Sequence, residues 1–356
     1  MSSDLSDAAV PDTDVTEDAV VPYRRSTIKE VAEAAGVSRS TASRALAGTG
    51  YVAEPVRARV RNAAKRLGYV VDVTARSLKQ QSSRLIGVVV SDLKNPFYAG
   101  LASGAARAAR AAGYTTVLID DGDAGSEESY AAEALVSLRV AGIVGTPVSD
   151  ALVTFAIGHG IPVVEVDRRF VPRRASGVVV DNRAAARAAT EHLLALGHRR
   201  IALLVDETEW TTGQDRLDGY TDALRGGGLP VDDSIVVTSG WDAEDARSSA
   251  NALFERADRP TAVFAVNNLI AEGVWRAAHD RGLRIPADLS LVAFDDAAWM
   301  SMVEPGVTAV VQDPGAIGVA AVEAVLAKIR QPGSPPATVV VPTRVVHRGS
   351  TAALAR

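Results

Sequence analysis

The 356-residue chain predicts a small all-α helix-turn-helix head followed by an α/β body of two doubly wound parallel-sheet lobes. Three observations predict this. Charge is segregated: between Arg24 and Arg84 thirteen basic residues face four acids, giving +9, while the first twenty residues hold six acids and no base, within a whole-chain charge of -5. Residues 27–68 carry three short apolar stripes of helical period, punctuated by glycine. From Leu85 onward, short apolar runs alternate with helix-length segments, the pattern of parallel strands covered by helices.

Hydrophobic residues at 47% and charged residues at 23% describe a globular chain with ample core material. The absence of cysteine excludes disulfides, thiolate metal sites and cysteine nucleophiles, and fits a reducing cytosol. No apolar run approaches the ~20 residues of a membrane span. Residues 1–23 hold Asp4, Asp7, Asp12, Asp14, Glu17 and Asp18 without the basic start and apolar middle of a secretory signal, and read as a disordered acidic tail.

In the head, Thr27-Ile-Lys-Glu30 fits a capping box that opens the first helix. Ile28, Val31, Ala32 and Ala35 form its apolar stripe, and Gly36 supplies the turn. Ser38 caps a second helix, Arg39 to Leu46, with Ala42, Ala45 and Leu46 inward and Arg39, Ser40, Ser43 and Arg44 outward. Pro55 sits well as the first residue of a third helix, with Val56, Val60, Ala64 and Leu67 inward and Gly68 at its end. A helix-turn-helix with a small, basic outer face suits DNA; a three-helix module with a merely solvated basic face shares the pattern.

In the body, ten apolar runs read as strands: Leu85–Val90, Thr116–Ile119, Gly142–Gly145, Val163–Val166, Val178–Val180, Ile201–Val205, Ile235–Val237, Ala262–Val266, Ser290–Phe294 and Val307–Val311. Ten strands suit two lobes better than one, and ligands of such sheets bind beyond the carboxyl ends of the strands.

The residues from Thr27 to Leu46 resemble the DNA-binding signature of the LacI/GalR family of bacterial transcriptional regulators. Gly68-Tyr69 and Ala75-Arg76-Ser77-Leu78 follow at that family's spacing, and the likeness runs to Arg348-Gly349-Ser350, about 320 residues. The resemblance implies a cytoplasmic, homodimeric repressor on a palindromic double-stranded operator, with no cofactor, no metal and no membrane attachment. It divides the chain into a DNA-binding domain (24–70), a hinge (71–83) and an effector-binding and dimerisation domain (84–356) of periplasmic-binding-protein type I architecture. The lobe nearest the DNA takes 84–180 and 312–334, and the distal lobe 181–311 and 335–356. Crossings then fall near Val180, near Val311 and near Pro335, where Gly-Ser-Pro-Pro supports a bend.

By the same resemblance Arg39, Ser40 and Arg44 read bases, though Arg39 can equally hold a phosphate, while Thr27, Ser38, Thr41 and Ser43 bond the DNA backbone. Ala75, Arg76 and Leu78 belong to a hinge helix that enters the minor groove, Leu78 as an apolar wedge; taken by itself, Leu78 reads as an exposed linker leucine. Val70-Val71-Asp72 departs from the family's common Arg-Pro-Asn and sets a negative charge near phosphates. The effector residues carried over are Ser91, Phe97, Tyr98, Asp167, Thr212, Arg216, Trp241, Asn267 and Asp295. Carboxylates, an arginine, an amide and a stacking ring match a polyol, so a carbohydrate is expected, with a nucleobase as the alternative. Trp210 stands where purine-binding members place an arginine, which weakens that alternative. Each acid also reads as a helix cap or ion pair, as in Asp167-Arg168-Arg169, and Trp241 as ordinary packing. Asn268 departs from the family's usual Asp. The chain has no Walker loop, no G-x-G-x-x-G at the first strand–helix turn and no H-E-x-x-H, and its five histidines are scattered, so an enzyme is not expected.

Overall fold

The computed structural model describes residues 26–48, 50–70, 83–122 and 128–354. They fall into two compact units that divide after Gln81.

The first unit is a three-helix cluster. Helix α1, Ile28–Ala35, opens on the capping box: the Glu30 amide donates to Thr27 Oγ1, and the Thr27 amide donates to Glu30 Oε2 at 2.7 Å. Gly36 ends it at φ +65°, a conformation free of strain only without a Cβ. Helix α2, Arg39–Ala47, is capped by Ser38, and α3, Glu54–Arg66, carries Pro55 in its first turn. Val31, Ala32, Ala35, Ala42, Ala45, Val60, Ala63 and Ala64 are buried together. The alanines of α2 let the two helices approach closely, which a short helix needs because it is unstable alone.

The second unit holds two six-stranded sheets. The first sheet runs β2-β1-β3-β4-β5-β11, with β1 Leu85–Val90, β2 Thr115–Asp120, β3 Gly142–Gly145, β4 Val163–Val166, β5 Ser176–Val180 and β11 Thr338–Val341. The second runs β7-β6-β8-β9-β10-β12, with β6 Ile201–Val205, β7 Val236–Thr238, β8 Ala262–Ala265, β9 Ser290–Phe294, β10 Thr308–Val311 and β12 Arg344–Val346. The two orders are the same strand for strand. All pairings are parallel except β10–β12. The central strands are largely apolar because helices cover both faces, with Ser290 and Glu165 as buried polar exceptions. Those helices are α4 Pro96–Ala111, α5 Glu128–Ser137, α6 Ala151–Gly158, α7 Asn182–Ala195, α8 Thr211–Gly226, α9 Ala243–Phe254, α10 Asn268–Asp280 and α11 Pro314–Arg330.

All ten expected strands are present, and the chain crosses between lobes after β5 and after β10. The third crossing is not at Pro335. Residues 333–336 only turn the chain out of α11 and into β11, which pairs with β5 in the first sheet, Thr338 opposite Gly177. The crossing comes at Pro342-Thr343, and β12 then pairs antiparallel with β10, so residues 338–341 belong to the first lobe. Strands β11 and β12 were not expected: each is a three- or four-residue edge without a long apolar run, β11 mostly exposed and β12 half-buried.

Candidate functional site

Two surfaces concentrate chemistry. The first is the outer face of α2, where Arg39, Ser40, Ser43 and Arg44 are exposed along one side. Arg44 Nε donates to the Ser40 carbonyl at 3.4 Å, which holds the guanidinium along the helix. Ser38 Oγ accepts from the Thr41 amide and lies 2.9 Å from both Ser40 Oγ and Thr41 Oγ1. The hydroxyls of Thr27 and Ser38 therefore already serve as helix caps. Ala75, Arg76 and Leu78, like Asp72, lie outside the described residues.

The second is a cleft at the carboxyl ends of both sheets. The strand order 2-1-3-4-5 reverses direction between β1 and β3, and in the second lobe between β6 and β8. Such switch points open a crevice because the flanking connections leave in opposite directions. At the first, Ser91 follows β1 and Thr146 follows β3, their hydroxyls 3.0 Å apart. At the second, Asp206 follows β6 and Asn267 lies just beyond β8, Asn267 Nδ2 donating to Asp206 Oδ2 at 2.9 Å.

Asp167 follows β4 and Asp295 follows β9, the equivalent strand of the other lobe. Both have left-handed backbone, φ +69° and +66°, a conformation that Asp tolerates better than most residues. It turns their carboxyls into the cleft. Burial pushes the Asp167 carboxyl up, and pushes Asp295 up to about 6 against the pull of Arg216. Gln312, at the second crossing, donates its amide to Asp295 Oδ1. Burial also raises the Tyr98 hydroxyl.

All nine effector residues expected from the sequence line this one cleft: Ser91, Phe97, Tyr98, Asp167, Thr212, Arg216, Trp241, Asn267 and Asp295. Asp92, Asn95, Arg168, Asp206, Trp210 and Leu269 line it as well. Arg216 is buried, donating to Asn182 Oδ1 at 2.9 Å and to the Val266 carbonyl at 2.6 Å, with its guanidinium 3.8 Å from the Phe294 ring centroid.

Arg168 is the most connected of the cleft residues that sequence reasoning missed, alongside Asp92, Asp206 and Leu269. It is 1% exposed, donates through Nη2 to Ser91 Oγ at 2.9 Å and Tyr98 Oη at 2.6 Å, and lies 3.8 Å from the Trp210 ring centroid. Its Nε is 3.7 Å from Asp167 Oδ2, and its Nη1 has no hydrogen-bond partner among the described residues. The adjacent Arg169 goes elsewhere, onto buried Glu165 at 3.2 Å and the Ala175 carbonyl. The doublet after a strand-end aspartate was the only signal, and it does not say which arginine turns inward. Trp210 and Trp241 pack at 4.4 Å with planes 47° apart. The lobes also touch through Asn268 Nδ2, which donates to Asn95 Oδ1 at 2.9 Å, and through the Arg169 amide, which donates to Thr211 Oγ1 at 3.2 Å.

Among the described residues no group of three or more His, Asp or Glu side chains is arranged to hold a metal, and no helix is long and apolar enough to cross a membrane.

A basic helix-turn-helix ahead of a two-lobed body, with a polar cleft at paired switch points, defines a class: DNA-binding regulators with a small-molecule-binding domain. Comparison with known proteins gives the family. Residues 27–72 match the model of bacterial regulatory proteins of the lacI family, and residues 83–348 that of periplasmic binding proteins and the sugar binding domain of the LacI family. The chain belongs to the LacI family. It is 34% identical to the HTH-type transcriptional regulator MalR of Streptomyces coelicolor, over 91% of this chain and 96% of that one. A Lac repressor dimer solved with operator and the anti-inducer ONPF superposes with a TM-score of 0.82 at 26% identity, covering 93% of this chain and 100% of the other. A complex of the transcriptional regulator CelR with cellobiose gives 0.70 at 29% identity, covering 92% and 100%.

Proposed function

We propose that the chain is a repressor that binds a palindromic operator as a homodimer and is governed by a carbohydrate held between its lobes. The observation that carries the effector reading is the cleft. Carboxylates, guanidiniums and amides on both lobes face aromatic rings, which suits a molecule with a hydroxylated edge and an apolar face. The complex of CelR with cellobiose supports it. Trp210, rather than a cation, stands against a nucleobase.

On DNA, the exposed face of α2 supplies the reading side chains. Arg44 and Arg39 are long enough for guanine O6 and N7, and Ser40 lies between them; Thr27, Ser38, Thr41 and Ser43 offer hydroxyls to phosphates. A homodimer repeats this face and matches an inverted repeat. Ala75, Arg76 and Leu78 act at the operator centre, Leu78 as the wedge; Leu78→Ala is expected to reduce operator bending, and an unchanged bend angle in a circular-permutation assay removes that role.

The cleft is read as a binding site and not a catalytic one. Ser91 Oγ bonds Thr146 and Arg168, neither of which can act as a general base, and His198 is engaged by Thr261 and Ser290 in the second lobe. Because a ligand that prefers one lobe angle shifts that equilibrium, effector and operator affinities are linked reciprocally.

The test is a selection of duplexes from a random pool by the purified chain, with and without a carbohydrate panel. Enrichment of one inverted repeat, changed by a sugar, is expected. Enrichment of no inverted repeat under any condition overturns the reading.

A further inference from the structure

We infer that the acidic segment 1–22 is the resting occupant of the head's basic face, where it stands in for DNA phosphates and must be displaced before DNA binds. This rests on the reading of α2 as the DNA-binding helix.

The head carries more exposed cations than its own acids can pair. Arg39 and Arg44 on α2, and Arg59, Lys65 and Arg66 on α3, are all exposed. None of these five forms an ion pair with a described acid. The acids nearby are already taken: Glu33 lies 3.9 Å from Lys29, and Glu54 lies 3.6 Å from Arg57 and 4.0 Å from Arg61. Like charges crowded on so small a unit repel one another, so an anion laid across them is stabilised.

The complement is in the same chain. Between Met1 and Pro22 stand Asp4, Asp7, Asp12, Asp14, Glu17 and Asp18, with no base among them. This segment lies outside the described residues and enters here through its charge and its length.

The point where it joins the head is described. Ser26 Oγ donates to the Leu67 carbonyl at 2.5 Å, which ties the start of the head to the end of α3, beside Lys65 and Arg66. Ser26 also precedes Thr27, the cap of α1, and α1 packs against α2 in one core. Asp18 stands eight residues before Ser26, a reach of up to about 29 Å when extended. Helix α2 is only ~14 Å long. All six acids therefore have enough chain to reach Arg39 and Arg44.

Tethering lets a weak contact suffice. A short flexible link gives an effective concentration of about 1 mM, so a contact with an intrinsic Kd of ~0.1 mM covers the face about nine-tenths of the time. Affinity for DNA then falls about tenfold, because only the uncovered fraction can bind. Operator and random duplex need the same face cleared, so both weaken by one factor and base preference is untouched. Cations already neutralised by the segment release fewer counterions to DNA, which makes the salt dependence shallower.

The test measures fluorescence anisotropy of labelled duplexes with the full-length protein. Wild type is compared with a variant carrying Asp4→Asn, Asp7→Asn, Asp12→Asn, Asp14→Asn, Glu17→Gln and Asp18→Asn. The duplexes are a random sequence and the inverted repeat returned by selection. At low salt the neutralised variant is expected to bind both about tenfold tighter, its log–log salt slope steeper by about 0.9 for each cation uncovered. The two proteins should converge as salt approaches ~0.5 M. A synthetic 1–22 peptide, added to the neutralised variant at about 1 mM, should restore the weaker binding. Equal affinities and equal slopes overturn the inference and leave the DNA-binding reading standing. Tighter binding that the peptide fails to reverse also overturns it, since the segment then repels DNA without docking on the head. Binding of neither duplex by either protein overturns the DNA-binding reading as well.

Discussion

Single side chains decide both what the cleft can hold and which base the head can read. Asp295 is the sharper test of the cleft's electrostatics. Burial raises its folded pKa from 3.8 to about 6, so the folded state binds this proton more readily than the unfolded state. Its charged form thus costs stability above pH 6, and the cost disappears as pH falls toward 4. Asp295→Asn keeps an acceptor for Gln312 and tolerates φ +66°. At pH 7 it should stabilise the protein by up to about 3 kcal/mol, from about 1.4 kcal/mol per unit. Thermal melts should show that advantage shrinking below pH 6; an advantage independent of pH removes the burial account. In the head, Arg44→Ala should cost about 1–3 kcal/mol of discrimination at one base pair per half-site. A binding profile with unaltered base preference at every position would exclude Arg44 as a reader.

Helix pairs in the body close through glycine. A Cβ on Gly318 would stand 2.2 Å from the Leu101 carbonyl, and one on Gly104 2.2 Å from the Gly315 carbonyl, both at the α4–α11 contact. Gly219 in α8 is equally tight against the Arg183 carbonyl of α7. Backbone cannot yield as a flexible side chain does, so Gly318→Ala is expected to cost about 1–3 kcal/mol by overpacking. Calorimetry on the full chain should find a body transition lowered by a few degrees, at about 2–4 °C per kcal/mol. Gly226→Ala, where a Cβ meets nothing within 4 Å among the described residues, is the control and should stay near wild type.

Over the whole body, two copies of one strand order are built from the same chain, and across the cleft they meet through polar side chains. The hydrogen bond from Asn268 Nδ2 to Asn95 Oδ1 links the N-terminal end of α10 to that of α4 at 2.9 Å, with both side chains nearly out of solvent. Asn95 Oδ1 also accepts from the Phe97 amide, so it must remain an oxygen there. Asn268→Asp removes the donor and sets two acceptors against each other. The expected loss is about 1–3 kcal/mol, the cost of a buried polar group left unpaired. Hydrogen exchange at the start of α4 and α10 should quicken; protection equal to wild type would show that this bond does not hold the lobes together.

Much of this was legible in the residues before any fold was seen. Apolar runs long enough to be buried on both faces gave ten strands, because period and length carry that signal. Thr27, Glu30 and Ser38 announced the helix starts because capping is local chemistry. The family signature put nine side chains in one cleft, and all nine line it. Tertiary structure alone decided the rest. The edge β11 pairs with β5 about 160 residues away, and β12 pairs with β10 across the whole of α11 and β11, so neither their existence nor the crossing at Pro342-Thr343 is written in local pattern. Arg168 and Arg169 are neighbours with the same side chain. Glu165 claims one, Ser91, Tyr98 and Trp210 claim the other, and those partners converge only once both sheets are built. Sequence determines what is short-range, namely periodicity, caps and charge. Which groups share a buried volume depends on chain closure over long separations, and that only the folded body fixes.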